Sequence, residues 1–151
     1  MINFTTGNLL NSSAEYLVNA VNCEGIMGKG LAYQFKLKFP KMYEDYRKAC
    51  KNGTLTIGKL HCYKENNKTI INFPTKDKWT QKSDIKYIIT GLNKLVELTK
   101  ILNIKNIAIP ALGCGNGGLN WKIIKLVIIN KLTPLKNHID IFVYEPFCWR
   151  Q

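Results

Sequence analysis

Three observations predict a layered α/β protein with a mixed sheet. Short apolar runs of strand character alternate with stretches of helical periodicity. Glycine-rich loops sit at two strand-to-helix junctions. One pair of runs, TIGKLHCY and KTIINFP, reads as a hairpin within an otherwise parallel order. In chain order, INFTTGNLL opens as a short strand and breaks at Gly7, and EYLVNAVN (15–22) is a second strand closing on polar residues. The glycine loop CEGIMGKG follows. Leu31, Phe35 and Phe39 then recur at helical spacing until Pro40, which lacks an amide hydrogen and ends the helix. KMYEDYRKACKNG is a second helix, stopped at Gly53 because glycine takes the left-handed conformation of a helix terminus. KENN joins the two hairpin strands. Ser83 or Asp84 caps a long helix reaching about Leu102, with Ile88, Leu92, Leu95, Leu98 and Leu102 on one face. NIAIPAL is a buried strand, GCGNGG a loop, LNWKIIKLVIINKL a helix halted before Pro134, and HIDIFVYEP the last strand.

The 151 residues are expected to form one domain, 1–151, long enough to bury ~68–70% of the extended chain's surface. No apolar run reaches the ~18 residues of a membrane helix, and no basic-then-apolar leader pattern opens the chain. Cys23, Cys50, Cys62, Cys114 and Cys148 are scattered without a CxxC pair, so neither a metal site nor a disulfide framework is expected. A reducing, cytoplasmic setting follows as the expectation. The net charge of +12 comes from 22 basic residues, nearly all of them lysine, in a chain also rich in asparagine and isoleucine. A/T-rich coding accounts for that composition as well as a nucleic-acid partner does, since nucleic-acid surfaces usually recruit arginine too. Whatever its origin, such a charge attracts polyanions at low salt.

The glycine loops carry the chemistry. In an open α/β sheet, ligands bind beyond the carboxyl ends of the strands, where helix N-termini present free N–H groups. Gly113, Gly115, Gly117 and Gly118 permit close approach of backbone to a phosphate. The run formally matches GxGxxG, but no Gly-Lys-Ser/Thr follows, so it is not a P-loop. A dinucleotide-fold reading has in its favour the preceding strand, the following helix and Glu145 as a ribose-binding acid. Against it, only one further strand follows, and Glu145 is farther on than the usual ~20 residues. Loop 23–30 is weaker evidence alone. Paired with the other loop across one sheet edge, it suits a diphosphate with a group at each end.

Taken together and in this order, TGNLL, VNAVNCEGIMGKGLAYQFKLKFP, INFPTK and IAIPALGCGNGGLNW resemble macrodomains over essentially the whole chain. More narrowly, they are similar to the branch that holds DarG-like DNA ADP-ribosyl glycohydrolases and terminal ADP-ribose protein glycohydrolases. The resemblance implies a three-layer α/β/α sandwich with ADP-ribose as ligand and no cofactor. It implies that Lys29, Gly30, Leu31 and Ala32 embrace the distal ribose and one phosphate. Gly113, Cys114, Gly115, Asn116, Gly117, Gly118 and Leu119 would hold the diphosphate through backbone N–H groups. Asn8 and Leu9 would meet the adenine, with Asn8 standing where many macrodomains have an aspartate; Tyr144 would stack on the ring, and Asn22 would lie beside the distal ribose.

The same resemblance makes Lys76 the catalytic residue, acting at the anomeric carbon of the distal ribose. An amine can do so only when unprotonated, and free lysine titrates near ~10.4. Burial beside Phe73 and Trp79, or the like charge of Lys78, would lower that value, whereas an inward Asp77 would oppose it. Lys78 stands where the DarG motif has a histidine and is read as a substrate contact, as is Trp79, which can stack on a base. The aspartate that the terminal-ADP-ribose type carries around Gly117 is absent, leaving open which group completes hydrolysis. His61 and His138, at strand edges, read as structural, and Trp121 as core. The implied partners are ADP-ribosylated DNA and a cognate ADP-ribosyltransferase toxin, with no membrane and a monomeric state. Three functions are open at this point: removal of ADP-ribose from thymidine in single-stranded DNA, non-catalytic ADP-ribose binding, and processing of O-acetyl-ADP-ribose or ADP-ribose-1''-phosphate.

Overall fold

The structure, a computed structural model, describes residues 1–146; Cys148 lies outside them. Six strands form one sheet: β1 Ile2–Thr5, β2 Tyr16–Val21, β3 His61–Glu65, β4 Lys68–Pro74, β5 Asn106–Pro110 and β6 Asp140–Tyr144. Their spatial order is β1-β6-β5-β2-β4-β3, with every pairing parallel except β3 against β4. Helices α1 Gly30–Lys38 and α2 Pro40–Lys51 follow β2, α3 Ile85–Ile101 follows β4, and α4 Trp121–Leu132 follows β5. The expected mixed α/β/α sandwich is what forms.

Two apolar clusters, one on each face of the sheet, hold the layers together. Phe35, Phe39, Met42 and Tyr46 of the α1–α2 layer pack on Leu17, Val21, Ile70 and Ala108. Ile88, Leu92 and Leu95 of α3, with Trp121, Ile124 and Ile128 of α4, pack on Val18, Ile71, Phe73, Ile109 and Val143. Alternate residues of one strand thus serve opposite faces, as the two-residue period of a strand requires. Each large side chain removed from water here contributes ~1.5–3 kcal/mol.

Several boundaries differ from the sequence reading. The hairpin turn is Asn66–Asn67 alone, both residues at positive φ (53° and 64°), while Lys64 and Glu65 belong to β3. A two-residue turn of this hand matches the right-handed twist of the flanking strands, and asparagine tolerates it. Residues 56–60 are not strand. Asp84, not Ser83, caps α3 by accepting the Lys86 N–H at 2.8 Å. Pro134 lies inside a short 3-10 turn, Thr133–Leu135, rather than simply past a helix end.

The sheet carries a polar thread that hydrophobic patterning hides. Asn19 and Asn72 face each other on β2 and β4, both fully buried, with Asn19 Nδ2 donating to Asn72 Oδ1 at 3.1 Å. Asn72 Nδ2 lies 3.0 Å from His61 Nδ1, and His61 Nε2 lies 2.7 Å from Asp45 Oδ2 on α2. His61 is therefore a structural connector between sheet and helix.

Candidate active site

The topology places the site before any side chain is considered. From β2 the chain moves to β4 on one side, and from β5 it moves to β6 on the other. The carboxyl ends of β2 and β5 therefore flank a topological switch point, where open α/β sheets bind ligands. All five parallel strands end at this same edge. Along it lie, in spatial order, Asn8 after β1, Tyr144 on β6, loop 111–120 after β5, loop 22–29 after β2, and loop 75–84 after β4. Four strand spacings separate the first from the last, roughly 19 Å, a span suited to an extended nucleotide diphosphate with a sugar at its far end.

Loop 22–29 is organised by one buried side chain. Asn22 Oδ1 accepts the N–H groups of Glu24 (3.0 Å) and Ile26 (3.3 Å), and Tyr46 Oη lies 3.0 Å from it. Asn22 Nδ2 donates to the Ile26 carbonyl at 2.8 Å. Asn22 thus shapes the loop that leads into α1. Lys29 occupies the N-cap of α1 and makes no side-chain capping bond, so the first-turn N–H groups keep the capacity to bind an anion.

Loop 111–120 is built from main chain instead. Cys114 N–H donates to Ala111 O (3.1 Å), Gly118 N–H to Gly115 O (3.2 Å) and Leu119 N–H to Gly113 O (2.9 Å). Gly113 and Gly118 sit at φ +75° and +79°, a region other residues enter only at a cost. Gly117 is required for a different reason: a Cβ there would collide with Ser83 Oγ and come within 2.5 Å of Gly113 O. No aspartate can therefore stand at 117 in this loop conformation. The α4 N-terminus beyond the loop is closed by Asn120, whose Oδ1 accepts the Lys122 N–H at 2.9 Å. Of the two glycine junctions, only the first opens on an uncapped helix.

Loop 75–84 is tied to both others. Thr75 N–H donates to Val21 O and Cys23 N–H to Asp77 O, each at 2.9 Å. Trp79 N–H donates to Glu24 Oε1 at 2.9 Å, and Ser83 N–H to Gly117 O at 3.0 Å. Lys76 is half-buried among these ties, its Nζ donating to the Trp79 carbonyl at 3.0 Å. Partial burial lowers its pKa below the ordinary lysine value, and the neighbouring ammonium groups of Lys82 and Lys29 push it further the same way. The like charge thus comes from Lys82 and Lys29, not from Lys78, which is exposed and whose N–H is bonded to Gln81. Nor does Trp79 enclose the amine with its ring, being 47% exposed.

The thiols at the two glycine loops are poor rivals as nucleophiles. Burial pushes both Cys23 and Cys114 up to about 12, so neither forms a thiolate near neutral pH.

At the opposite end of the row, Asn8 Oδ1 accepts the Leu10 N–H at 3.0 Å, capping a 3-10 turn, Leu9–Asn11. Leu9 is buried, and Tyr144 packs against the same apolar cluster as Leu9. Glu145 is buried and spoken for: its Oε2 accepts from Trp121 Nε1 at 3.1 Å and pairs with Lys125 Nζ at 3.0 Å. The dinucleotide-fold reading assigned it to a ribose; it instead ties α4 to the sheet edge, with Trp121 in the core as expected. Sequence reasoning missed Glu24, Lys82 and Ser83, which reach the site through loop-to-loop contacts that no local pattern signals.

Fold and site together define an α/β/α sandwich with two glycine loops at the carboxyl edge of its sheet, and this chain belongs to the macrodomain family: residues 18–128 match the Macro domain family profile. It is 43% identical over 150 residues to the DNA ADP-ribosyl glycohydrolase of Mycobacterium tuberculosis, the match covering 97% of this chain and 42% of that protein. The chain thus spans about two fifths of the length of the curated relatives it matches. It superposes on the macrodomain of Mycobacterium tuberculosis DarG with a TM-score of 0.94, covering 97% of this chain and 98% of that one at 43% identity. Thermosipho africanus DarTG in complex with ADP-ribose gives 0.88 at 37% identity, covering 96% of this chain and 42% of that one.

Proposed function

We propose that this chain is the macrodomain of an ADP-ribosyl glycohydrolase that removes ADP-ribose from DNA, with thymidine in single-stranded DNA as its acceptor. The observation that carries the reading is Lys76: a partly buried side chain whose amine has two ammonium neighbours, at the far end of a row of loops suited to a nucleotide diphosphate. The 43% identity to relatives named for this activity supports it. Adenine lies at the Asn8–Tyr144 end, the diphosphate against loops 22–29 and 111–120, and the distal ribose at Lys76.

In the proposed reaction, the lone pair of neutral Lys76 Nζ bonds to the anomeric carbon of the distal ribose. The bond from that carbon to the base breaks with its electrons, and the base nitrogen takes a proton. The ribosylated amine opens to an imine as the ring C–O bond breaks. Water adds to the imine carbon, the carbon–lysine bond then breaks, and free ADP-ribose and the amine are restored. Cys23 and Cys114 do not compete, since both stay as thiols. The protein acts in a reducing cytoplasm, alongside a transferase that supplies the modified DNA.

The test is incubation of Lys76→Ala with ADP-ribosylated oligonucleotide, with ADP-ribose affinity measured in parallel. Release should fall by at least ~10² while the affinity for ADP-ribose is retained. Unchanged release by the variant removes Lys76 from the mechanism. Cleavage of ADP-ribosyl-glutamate protein but not of DNA would move the acceptor to protein.

A further inference from the structure

Lys82 is the unassigned residue nearest the chemistry. It directly precedes two anchored positions: Ser83, whose N–H bonds Gly117 O at 3.0 Å, and Asp84, the α3 cap. So held, the Lys82 side chain lies along the second glycine loop. A Cβ on Gly118 would meet its Cδ at 3.3 Å and its Nζ at 3.6 Å. The ammonium therefore sits at the rim of the loop where the backbone is barest.

Among the described residues no carboxylate lies within ion-pair distance of Lys82. Of the carboxylates on the neighbouring segments, Glu24 accepts from Trp79 N–H and Asp84 from Lys86 N–H. Lys82 presses its positive charge on Lys76, as Lys29 does from loop 22–29. An ammonium group pressed by two others, beside backbone N–H groups, forms an electrostatic arrangement completed by an anion.

We propose that Lys82 is a substrate-binding residue whose ammonium takes a phosphoryl oxygen at the Gly118 rim of the second glycine loop. Two sources present that oxygen: the diphosphate of the ADP-ribosyl group, or a backbone phosphate of the nucleic acid beside the modified base. The inference rests on the proposed function for the identity of the ligand, but not on Lys76 being the nucleophile.

The experiment uses the Lys76→Ala background, so that binding is read without turnover, and compares Lys82, Lys82→Gln and Lys82→Arg by calorimetry and fluorescence anisotropy. The probes are ADP-ribose, ADP-ribosylated single-stranded oligonucleotide, and the same oligonucleotide unmodified. If the diphosphate is the source, Lys82→Gln weakens free ADP-ribose about tenfold, and Lys82→Arg recovers most of it. If the source is nucleic acid, ADP-ribose affinity is unchanged. The oligonucleotides then weaken, and their log–log salt slope becomes shallower by about 0.7. Unchanged affinity of Lys82→Gln for all three probes overturns the proposal. Loss of ADP-ribose binding by the parent Lys76→Ala protein would sink the functional reading itself, and this inference with it.

Discussion

The two glycine loops occupy adjacent strand ends yet are built by opposite means. Loop 22–29 is shaped by a side chain, with Asn22 binding three backbone groups within it, and it opens on an uncapped helix. Loop 111–120 is shaped by the absence of side chains, folding on its own main chain and leading to a helix already capped by Asn120. In the first, a helix terminus keeps N–H groups without a side-chain cap; in the second, the amides of Cys114, Gly118 and Leu119 are bonded to the loop's own carbonyls. The two construction methods fail differently when altered.

The largest effect is expected from Gly117→Ala. The new Cβ collides with Ser83 and Gly113 O, so the loop must leave its conformation. ADP-ribose affinity should drop by ~10² or more, as strain of a few kcal/mol implies, read by calorimetry. Retained affinity would show that the loop tolerates side chains after all. Asn22→Ala should act on stability first. Removing a buried hub that leaves the Glu24 and Ile26 groups unpaired costs ~2–3 kcal/mol, seen as a lower urea midpoint with unchanged slope.

Smaller still, Asn120→Ala should cost ~1 kcal/mol and leave ADP-ribose affinity unchanged, since Asn120 already closes the α4 N-terminus; a joint loss would blur the distinction between the loops. Lys29→Ser supplies α1 with the cap it lacks. It should raise stability by ~0.5–1 kcal/mol while weakening ADP-ribose, the capped N–H groups and the lost charge both working against the ligand.

Finally, the rate should follow the fraction of Lys76 that is neutral. Because its pKa is lowered, the acid limb of the pH–rate profile has its midpoint below the 10.5 of ordinary lysine. Below that midpoint the rate should rise tenfold per pH unit. Lys82→Gln removes a positive neighbour and should move the limb to higher pH; movement the other way would contradict the charge arrangement.

Much of this was legible in the sequence. Helical spacing located α1 to α4 because apolar residues at i, i+4 must share a face. The glycines located the loops because few other residues occupy such backbone. The resemblance placed Lys76. What stayed hidden was non-local: the repulsion on Lys76 comes from Lys29, 47 positions earlier, and from Lys82 across a turn. Asn19 and Asn72 sit mid-strand in apolar runs, and only strand register reveals that Asn19 Nδ2 donates to Asn72 Oδ1. The hairpin was placed correctly, but the division of KENN into strand and turn depends on the left-handed backbone of Asn66 and Asn67.

The row of strand ends carries a consequence for how the protein comes together. Asn8, Asn22, Lys76, Gly113 and Tyr144 come into one row only after five parallel strands have aligned, and each such alignment closes a long stretch of intervening chain before its contacts repay the entropy. Folding should be correspondingly unhurried, and ADP-ribose should protect the domain as one unit, raising its melting temperature with ligand concentration rather than stiffening a single lobe.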